Sequence, residues 1–366
     1  MKKKVYIIDL IGNHSGMHYY HSSFLRLFEN ESKIQINILS NYKQSNKKAF
    51  FFNIFDNNII INISKLIWSF LKLFVFILFK RKANFIYLSY GCLFDIPFLL
   101  LSTIYGNRFI IDIHEIYDLA DTPSNFIKKI FNFIFKKLIK ISIIHSEKNI
   151  KRLNEIGYKG KIIFVPHFRY DEKINSKNNI NLEVKSLFMK DKLNIVFFGH
   201  IRLSKGIDLL YQYLNSISNI KILDKLNFII AGNDTDNLIA KKQLIFNTEI
   251  SNNILLRRLD DDELEYIFIN SDYLILPYKE ISQSGIIEMA IKYKKPMLLS
   301  DIPEFVSYLK RYSSFGHVFS DSKDFEKTLL SIQSEKYNYY NEKDVTNYYT
   351  ESSFLNFKEE FLKIFF

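Results

Sequence analysis

Twice along this chain, short apolar runs alternate with helical stretches, and that rhythm leaves few folds open. In the first series, residues 5–11 form a strand-like run, 12–16 a polar loop holding Gly12 and Gly16, and 17–29 a helical pattern. Residues 34–39, 85–89, 109–113, 142–145 and 161–165 repeat the short run, with helical stretches between several of them. A second series holds 194–198, 227–230, 254–256, 273–276, 296–299 and 317–319. Strands that read as unbroken apolar runs are buried on both faces, and alternation with helices gives a parallel sheet covered on each side. The expected fold class is therefore α/β, with two Rossmann-like doubly wound domains that bind ligand at the carboxyl ends of their strands, facing across a cleft.

The domain boundaries follow from composition. Residues 171–181 are polar and poor in large apolar groups, which sets a first domain over 1–172, a linker over 173–190 and a second domain over 191–344. Residues 345–366 form an amphipathic helical pattern expected to cross back and pack on the first domain. A chain of 366 residues suits two domains, and 48% hydrophobic with 16% aromatic residues excludes disorder. The formal net charge of +11 favours anionic partners. Its basic residues are spread over many helices and no nucleic-acid module appears, so nucleic acid is not an expected partner. The single cysteine, Cys92, excludes an intramolecular disulfide and a Cys-rich metal site, and fits a reducing cytosol. The start, Met1 to Lys4 and then an apolar run broken by Asp9, reads as a first buried strand rather than a signal peptide.

Two segments raise the question of a membrane. Residues 65–79 are nearly all apolar, but Ser69 and Lys72 interrupt them, and a spanning helix needs about 20 apolar residues. A buried crossover helix is expected there, with an interfacial helix as the lesser reading. From Ser124 to Lys140, Lys128, Lys129, Lys136, Lys137 and Lys140 fall on one half of a helix and Ile127, Ile130, Phe131, Ile134 and Leu138 on the other. The apolar half can pack on the sheet while the basic half docks on an anionic membrane face, where each basic residue contributes about 1 kcal/mol.

The chemistry concentrates after two strands of the second series. Gly199-His200-Ile201-Arg202-Leu203-Ser204-Lys205-Gly206 places two cations three residues apart at a helix start. Cations are unfavourable beside the positive end of a helix dipole unless an anion sits between them. Fixed at a leaving diphosphate, they stabilise the transition state more than the ground state. Pro277 to Glu288 runs from a buried strand through a small polar loop into a helix, with Ser284-Gly285 at its start. Backbone N–H groups there suit a phosphate or a sugar hydroxyl. Glu288, one turn in, can accept two hydrogen bonds from a ribose diol, or can simply complement the dipole. Asp260-Asp261-Asp262 before Glu263 reads as helix capping rather than as a metal site, and no metal site is expected. His14, His18 and His21 line one face of the first loop and helix, where partial exposure or contact with an acceptor are both open.

Taken together, Gly199-x-x-Arg202-x-x-Lys205-Gly206, the Ala231-Gly232-Asn233 turn, and Glu280-x7-Glu288 followed by Ala290 resemble the retaining glycosyltransferases of family 4. The resemblance extends over essentially the whole chain and is strongest over 194–303. It implies the GT-B fold and transfer of a sugar from a UDP- or GDP-sugar to a glycan or lipid-linked saccharide acceptor, with retention and without a metal or cofactor. It further implies that Arg202 and Lys205 hold the diphosphate and Glu288 the ribose. Glu280 would lie near the donor sugar, and Gly199, Ser284, Gly285 and Ile286 would line the donor. Ser15-Gly16 matches the family's small-residue turn near the donor, and His114 matches its His close to the reacting face. The chain departs in carrying Gln283 where the family has glycine, and Pro166-His167-Phe168 where many members have Pro-Asn-Gly. The implied setting is capsule, O-antigen or exopolysaccharide assembly in the cytoplasm, peripheral to the inner face of the membrane. A non-catalytic module that binds a nucleotide sugar or a partner enzyme is the alternative that the Gln283 loop keeps open.

Overall fold

The unbroken apolar runs become the centres of two parallel sheets. The structure, a computed structural model, describes residues 2–12, 17–42, 48–54, 58–80, 82–90, 95–113, 125–165, 180–217, 220–247, 250, 253–281, 284–334, 337, 339–351 and 354–366. The chain divides into two units, Met1–Phe168 with Ser352–Phe366, and Arg169–Glu351.

In the first unit, β1 (Lys3–Asp9), β2 (Ile34–Ser40), β3 (Asn84–Ser89), β4 (Phe109–Ile113), β5 (Ile141–Ile144) and β6 (Lys161–Phe164) form one sheet. Their order is β2-β1-β3-β4-β5-β6, and every neighbouring pair is parallel. All residues of β3 and β4 are buried, as parallel strands covered on both faces must be. Between the strands run α1 (Met17–Leu27), α2 (Ile59–Phe79), α3 (Asp95–Leu100), α4 (Asn125–Lys137) and α5 (Glu147–Glu155). The Asn58 side chain caps α2, accepting from the Ile60 and Ile61 N–H groups at 2.9 and 3.4 Å.

Helix α2 departs from expectation. It is 21 residues long, yet only Ser69, Leu73 and Ile77 are buried. The sequence is apolar on both faces, and the sheet covers one of them. Helix α4 keeps Phe131, Ile134 and Phe135 inside, the packing expected of its apolar half.

The second unit opens with α6 (Leu182–Ser186), within the stretch read as a linker. It is tied to the unit by Glu183, which meets the Arg257 guanidinium at 3.3 Å. The sheet holds β7 (Leu193–Ile201), β8 (Leu226–Asp234), β9 (Ile254–Leu255), β10 (Tyr273–Leu276), β11 (Met297–Ser300) and β12 (Gly316–Phe319). All neighbours are parallel, in the order β12-β11-β10-β7-β8-β9. The direction of winding reverses between β7 and β10, which is the doubly wound switch point where ligands bind in such sheets. Its helices are α7 (Ile207–Asn215), α8 (Asp261–Asn270), α9 (Gly285–Lys292), α10 (Pro303–Arg311), α11 (Ser322–Ser334) and α12 (Glu342–Glu351). Asp260 and Glu263 form a reciprocal capping box at the start of α8, at 2.9 and 3.2 Å.

The tail read as one helix is two. Helix α12 belongs to the second unit, where Tyr348 packs against Tyr312 and Phe315. Helix α13 (Phe354–Lys363) belongs to the first. Its Phe361 lies with ring centroids 5.1 Å from those of both Phe24 and Phe28, and its Lys358 pairs with Glu31 at 3.0 Å. Two separate cores therefore claim the two halves of the pattern.

Phe361 is fully buried, so Phe361→Ala should cost about 3 kcal/mol by opening a cavity in the first unit. Denaturant titration of the full chain checks this: the midpoint falls for Phe361→Ala and recovers largely for Phe361→Leu. An unchanged midpoint would mean that α13 does not stabilise the unit.

Candidate functional site

At the switch point of the second sheet, β7 ends in Gly199-His200-Ile201 and passes into a 3-10 turn over Leu203–Lys205. The turn closes on Gly206, whose φ is +69°. A Cβ at Gly206 would lie 1.7 Å from the Pro277 carbonyl oxygen, so only glycine lets the turn touch the chain leaving β10. Two bonds fasten that contact. The Lys279 N–H donates to the Ser204 carbonyl at 3.3 Å, and the Lys279 ammonium pairs with Asp208 at 2.5 Å. On the other side, the Leu203 N–H donates to the Asp236 carboxylate at 3.0 Å. The turn that carries Arg202 and Lys205 is thereby fixed from both flanks.

Three cations lie within electrostatic reach of His200 at this turn. The His200 imidazole is held below its ordinary pKa, first by desolvation and then by the charges of Arg202, Lys205 and Arg258. His200 is exposed, so repulsion by the neighbouring cations, rather than burial, is the physical cause. Arg202 is half-buried, and its Nε is buried without a hydrogen-bond partner among the described residues. A guanidinium N–H left so is costly unless a ligand completes it. The Lys205 ammonium stands over the Tyr278 ring, 4.3 Å from its centroid. Burial pushes the Tyr278 phenol up to about 12, against the opposing effects of Ser284 and Arg202.

Helix α9 supplies the second wall. Ser284 takes its N-cap position, but its side chain makes no capping bond to the backbone and instead meets the Tyr278 hydroxyl. The first N–H groups of a helix have no intrahelical acceptor, which leaves those at Gly285 and Ile286 suited to an anion or hydroxyl. The Ile286 Cδ1 lies 3.0 Å from where a Gly199 Cβ would stand, so the start of α9 and the end of β7 touch. Gly199, Arg202, Lys205, Ser284, Gly285 and Ile286 are thus one cluster, joined through Tyr278.

Glu288 occupies the first turn of α9, and the partner shown for its carboxyl is Tyr348 rather than a member of that cluster. It is 8% exposed and accepts a hydrogen bond from the Tyr348 hydroxyl of α12. Burial pushes its pKa up to about 7, partly countered by that bond. The Tyr308 hydroxyl, without a hydrogen-bond partner among the described residues, also lies within electrostatic reach. Glu280 is half-buried in the loop between β10 and α9. Gly16, Ser15, His114, Gln283, Ser282 and the segment 166–168 lie outside the described residues.

Arg258 was not among the sequence candidates. The signal for it was its place in Arg257-Arg258, just beyond the carboxyl end of β9. Its neighbour Arg257 is structural, in a two-bond fork at 2.7 Å with Glu263. The first unit holds a buried polar array at its strand ends. Of the three histidines singled out in sequence, His21 belongs to it and is buried rather than partly exposed. His14 and the His18 side chain lie outside the described residues, and the other members of the array were missed. The Tyr90 hydroxyl donates to Asp9 at 2.7 Å, bridging the ends of β1 and β3, while His21 meets the Tyr42 hydroxyl at 2.6 Å. Asp112 at the end of β4 faces His145 Nε2 at 2.6 Å, and His145 Nδ1 meets the Val165 carbonyl at 2.9 Å. Among the described residues no cluster of three or more His, Cys, Asp or Glu could hold a metal ion.

The chain matches no family model and no curated protein in sequence. In structure it is similar to many solved chains over nearly its full length. One, from E. coli, is described as trehalose-6-phosphate bound with UDP-2-fluoro glucose; the TM-score is 0.66 at 10% identity, covering 99% of this chain and 98% of that one. WaaG, a glycosyltransferase involved in lipopolysaccharide biosynthesis, aligns with TM-score 0.60 at 9% identity, covering 90% and 91%. A putative UDP-N-acetylglucosamine 2-epimerase from Listeria monocytogenes aligns with TM-score 0.57 at 12% identity, covering 98% of each chain. The fold shared with the glycosyltransferases is GT-B, two six-stranded parallel sheets with flanking helices.

Two outcomes test this geometry. Gly206→Ala should destabilise the second unit by about 2 kcal/mol through strain and collision, lowering the melting temperature; an unchanged value would show that the turn does not depend on the close approach. For Glu288, a carboxyl pKa raised to about 7 in the fold means that its stabilising neutral form is lost as pH rises from the unfolded value toward 7 and above. Glu288→Gln should therefore match the parent near pH 4 and be the more stable protein at pH 8. Melting curves across that range check it, and parallel curves would refute the buried setting.

Proposed function

We propose that the chain is a retaining, metal-independent glycosyltransferase that moves a sugar from a UDP- or GDP-sugar to a glycan or lipid-linked saccharide acceptor. The setting of the proposal is assembly of a surface polysaccharide such as capsule or O-antigen, on the cytoplasmic side of the membrane. The observation that carries it is the turn bearing Arg202 and Lys205, locked against the chain leaving β10 and touching the start of α9 at the switch point, with Arg258 within electrostatic reach. Fixed cations with a buried, unsatisfied guanidinium Nε are what a departing nucleoside diphosphate requires.

In the proposed reaction, the bond from the sugar's anomeric carbon to the diphosphate oxygen breaks as the acceptor hydroxyl attacks from the same face. The acceptor's proton passes to the departing phosphate oxygen, and the nucleoside diphosphate leaves with its charge met by the three cations. Retention rests on the family resemblance of the Arg202, Lys205 and Glu280-x7-Glu288 pattern. With side-chain cations serving the leaving group, this route needs no divalent ion. A grip on the ribose diol by both carboxyl oxygens of Glu288 would displace the Tyr348 hydroxyl from Oε2. By the same family resemblance, Glu280 and His114 would stand near the donor sugar and Gly16 at the donor.

The test is a panel of UDP- and GDP-sugars with lipid-linked saccharide extracts as acceptors, read as nucleoside diphosphate release and as labelled product. Arg202→Ala and Lys205→Ala should each lower kcat about 100-fold or more, by losing about 3 kcal/mol of transition-state stabilisation, with a smaller change in donor KM. Nucleotide binding without transfer to any acceptor would instead establish the non-catalytic module. No binding of either nucleotide, with both variants behaving as the parent does, would remove the site altogether.

A further inference from the structure

We propose that α2 is an in-plane anchor that seats the first unit on an anionic lipid surface. This surface is independent of the sugar-transfer reading, and it rests on the exposure of a helix that the sequence alone would bury. One stripe of α2 docks on the sheet through Ser69, Leu73 and Ile77, with Leu66, Phe70 and Phe74 packed partly against the core. The opposite stripe is apolar as well. Ile67 is 54% exposed, Trp68 64%, Leu71 43%, Val75 49% and Phe79 82%. At about 100° per residue these fall on the side away from the sheet, with Ile60, Ser64 and Leu78 among them. A contiguous apolar face of this kind marks an interaction surface, whereas scattered exposed apolar residues do not.

The helix has the length and composition to cross a membrane, but its inner stripe is committed to the core of the first unit. A helix bound along one face can only lie in the interface plane, with its outer face in the acyl boundary. Charge then selects the kind of surface. No Asp or Glu stands between Asp56 and Asp95. Lys65 and Lys72 flank the apolar face. At its C-terminal end a hollow of about 1030 Å³ is lined by lysines, among them Lys2, Lys4, Lys33, Lys80 and Lys82, together with the exposed Leu78, Phe79 and Phe366. Exposed rings beside clustered ammonium groups suit acyl chains below anionic headgroups. Pairing with a second copy would bring like-charged flanks together, which disfavours that occupant. Helix α4 offers basic residues, with Lys129, Lys136 and Lys137 exposed. Of its described apolar residues, only Phe133 is strongly exposed, at 58%, so it supplies charge without an anchor.

Trp68 is the chain's single tryptophan, so the proposed surface reports on itself. The full chain is mixed with vesicles of phosphatidylcholine alone, or of phosphatidylcholine with phosphatidylglycerol. With the anionic vesicles, Trp68 emission should shift to the blue, be quenched by brominated acyl chains, and return toward its unbound value at high salt. Leu71→Glu with Val75→Glu, both at exposed positions, should weaken binding about tenfold or more while circular dichroism shows the fold intact. Lys33→Glu with Lys82→Glu should weaken it too, and Lys136→Glu with Lys137→Glu should leave it largely unchanged. Any one of four results would overturn the proposal. These are unchanged Trp68 emission, equal binding to neutral vesicles, loss of binding only in the α4 variant, or a blue shift that grows with protein concentration in the absence of lipid. The last would assign the face to a second copy of the chain.

Discussion

The second unit's site depends on one backbone approach, that of Gly206 to the Pro277 carbonyl. Strands β7 and β10 are neighbours in the sheet but distant in sequence, and their continuations leave the switch point in opposite directions. Without a direct contact, the turn bearing Arg202 and Lys205 would be an ordinary surface loop. The absence of a Cβ at Gly206 lets the two continuations lock together through Ser204, Lys279 and Asp208. Positive charge is then concentrated rather than dispersed. Several nearby carboxylates are committed elsewhere: Asp208 to Lys279, Asp236 to the Leu203 N–H, and Glu263 to Arg257.

Most of the architecture was legible as apolar runs, because a parallel strand buried on both faces leaves an unmistakable mark. Tyr273 to Leu276 reads as a strand in the sequence and is one, and Asp260 to Glu263 reads as a cap and is one. What escaped is what depends on a partner remote in sequence. Nothing near Glu288 shows that Tyr348 would take its carboxyl, since the hydroxyl arrives from a helix sixty residues later. The tail reads as one amphipathic helix because periodicity is blind to which core each turn enters. Asp9, Asp112 and His145 look like interruptions in apolar runs until the strand ends are seen to hold them together.

Architecture by itself does not choose a chemistry. A lipopolysaccharide glycosyltransferase and a putative UDP-N-acetylglucosamine 2-epimerase both align over most of this chain, so the fold accommodates more than one outcome. The discriminating groups must be side chains. In the second unit, the cation cluster suits any reaction that separates a sugar from a diphosphate. In the first unit the strand ends carry a polar array in an otherwise apolar sheet. His145 faces a carbonyl on one ring nitrogen and the Asp112 carboxyl on the other.

Helix α2 shows the limit of hydropathy from the other side. A helix apolar all round is buried or lies in lipid, and sequence cannot say which, because it does not reveal how many faces the rest of the protein covers. Here the sheet covers one. The helix connects β2 to the parallel strand β3, so it must run back along the sheet rather than across it. Its C-terminal end accordingly meets Lys3, Lys4 and Ala83 at the amino ends of β1 and β3. With its full length in a lipid interface, the strands of the first unit would lie roughly along the membrane plane. Neither end of that sheet would then face the bilayer squarely.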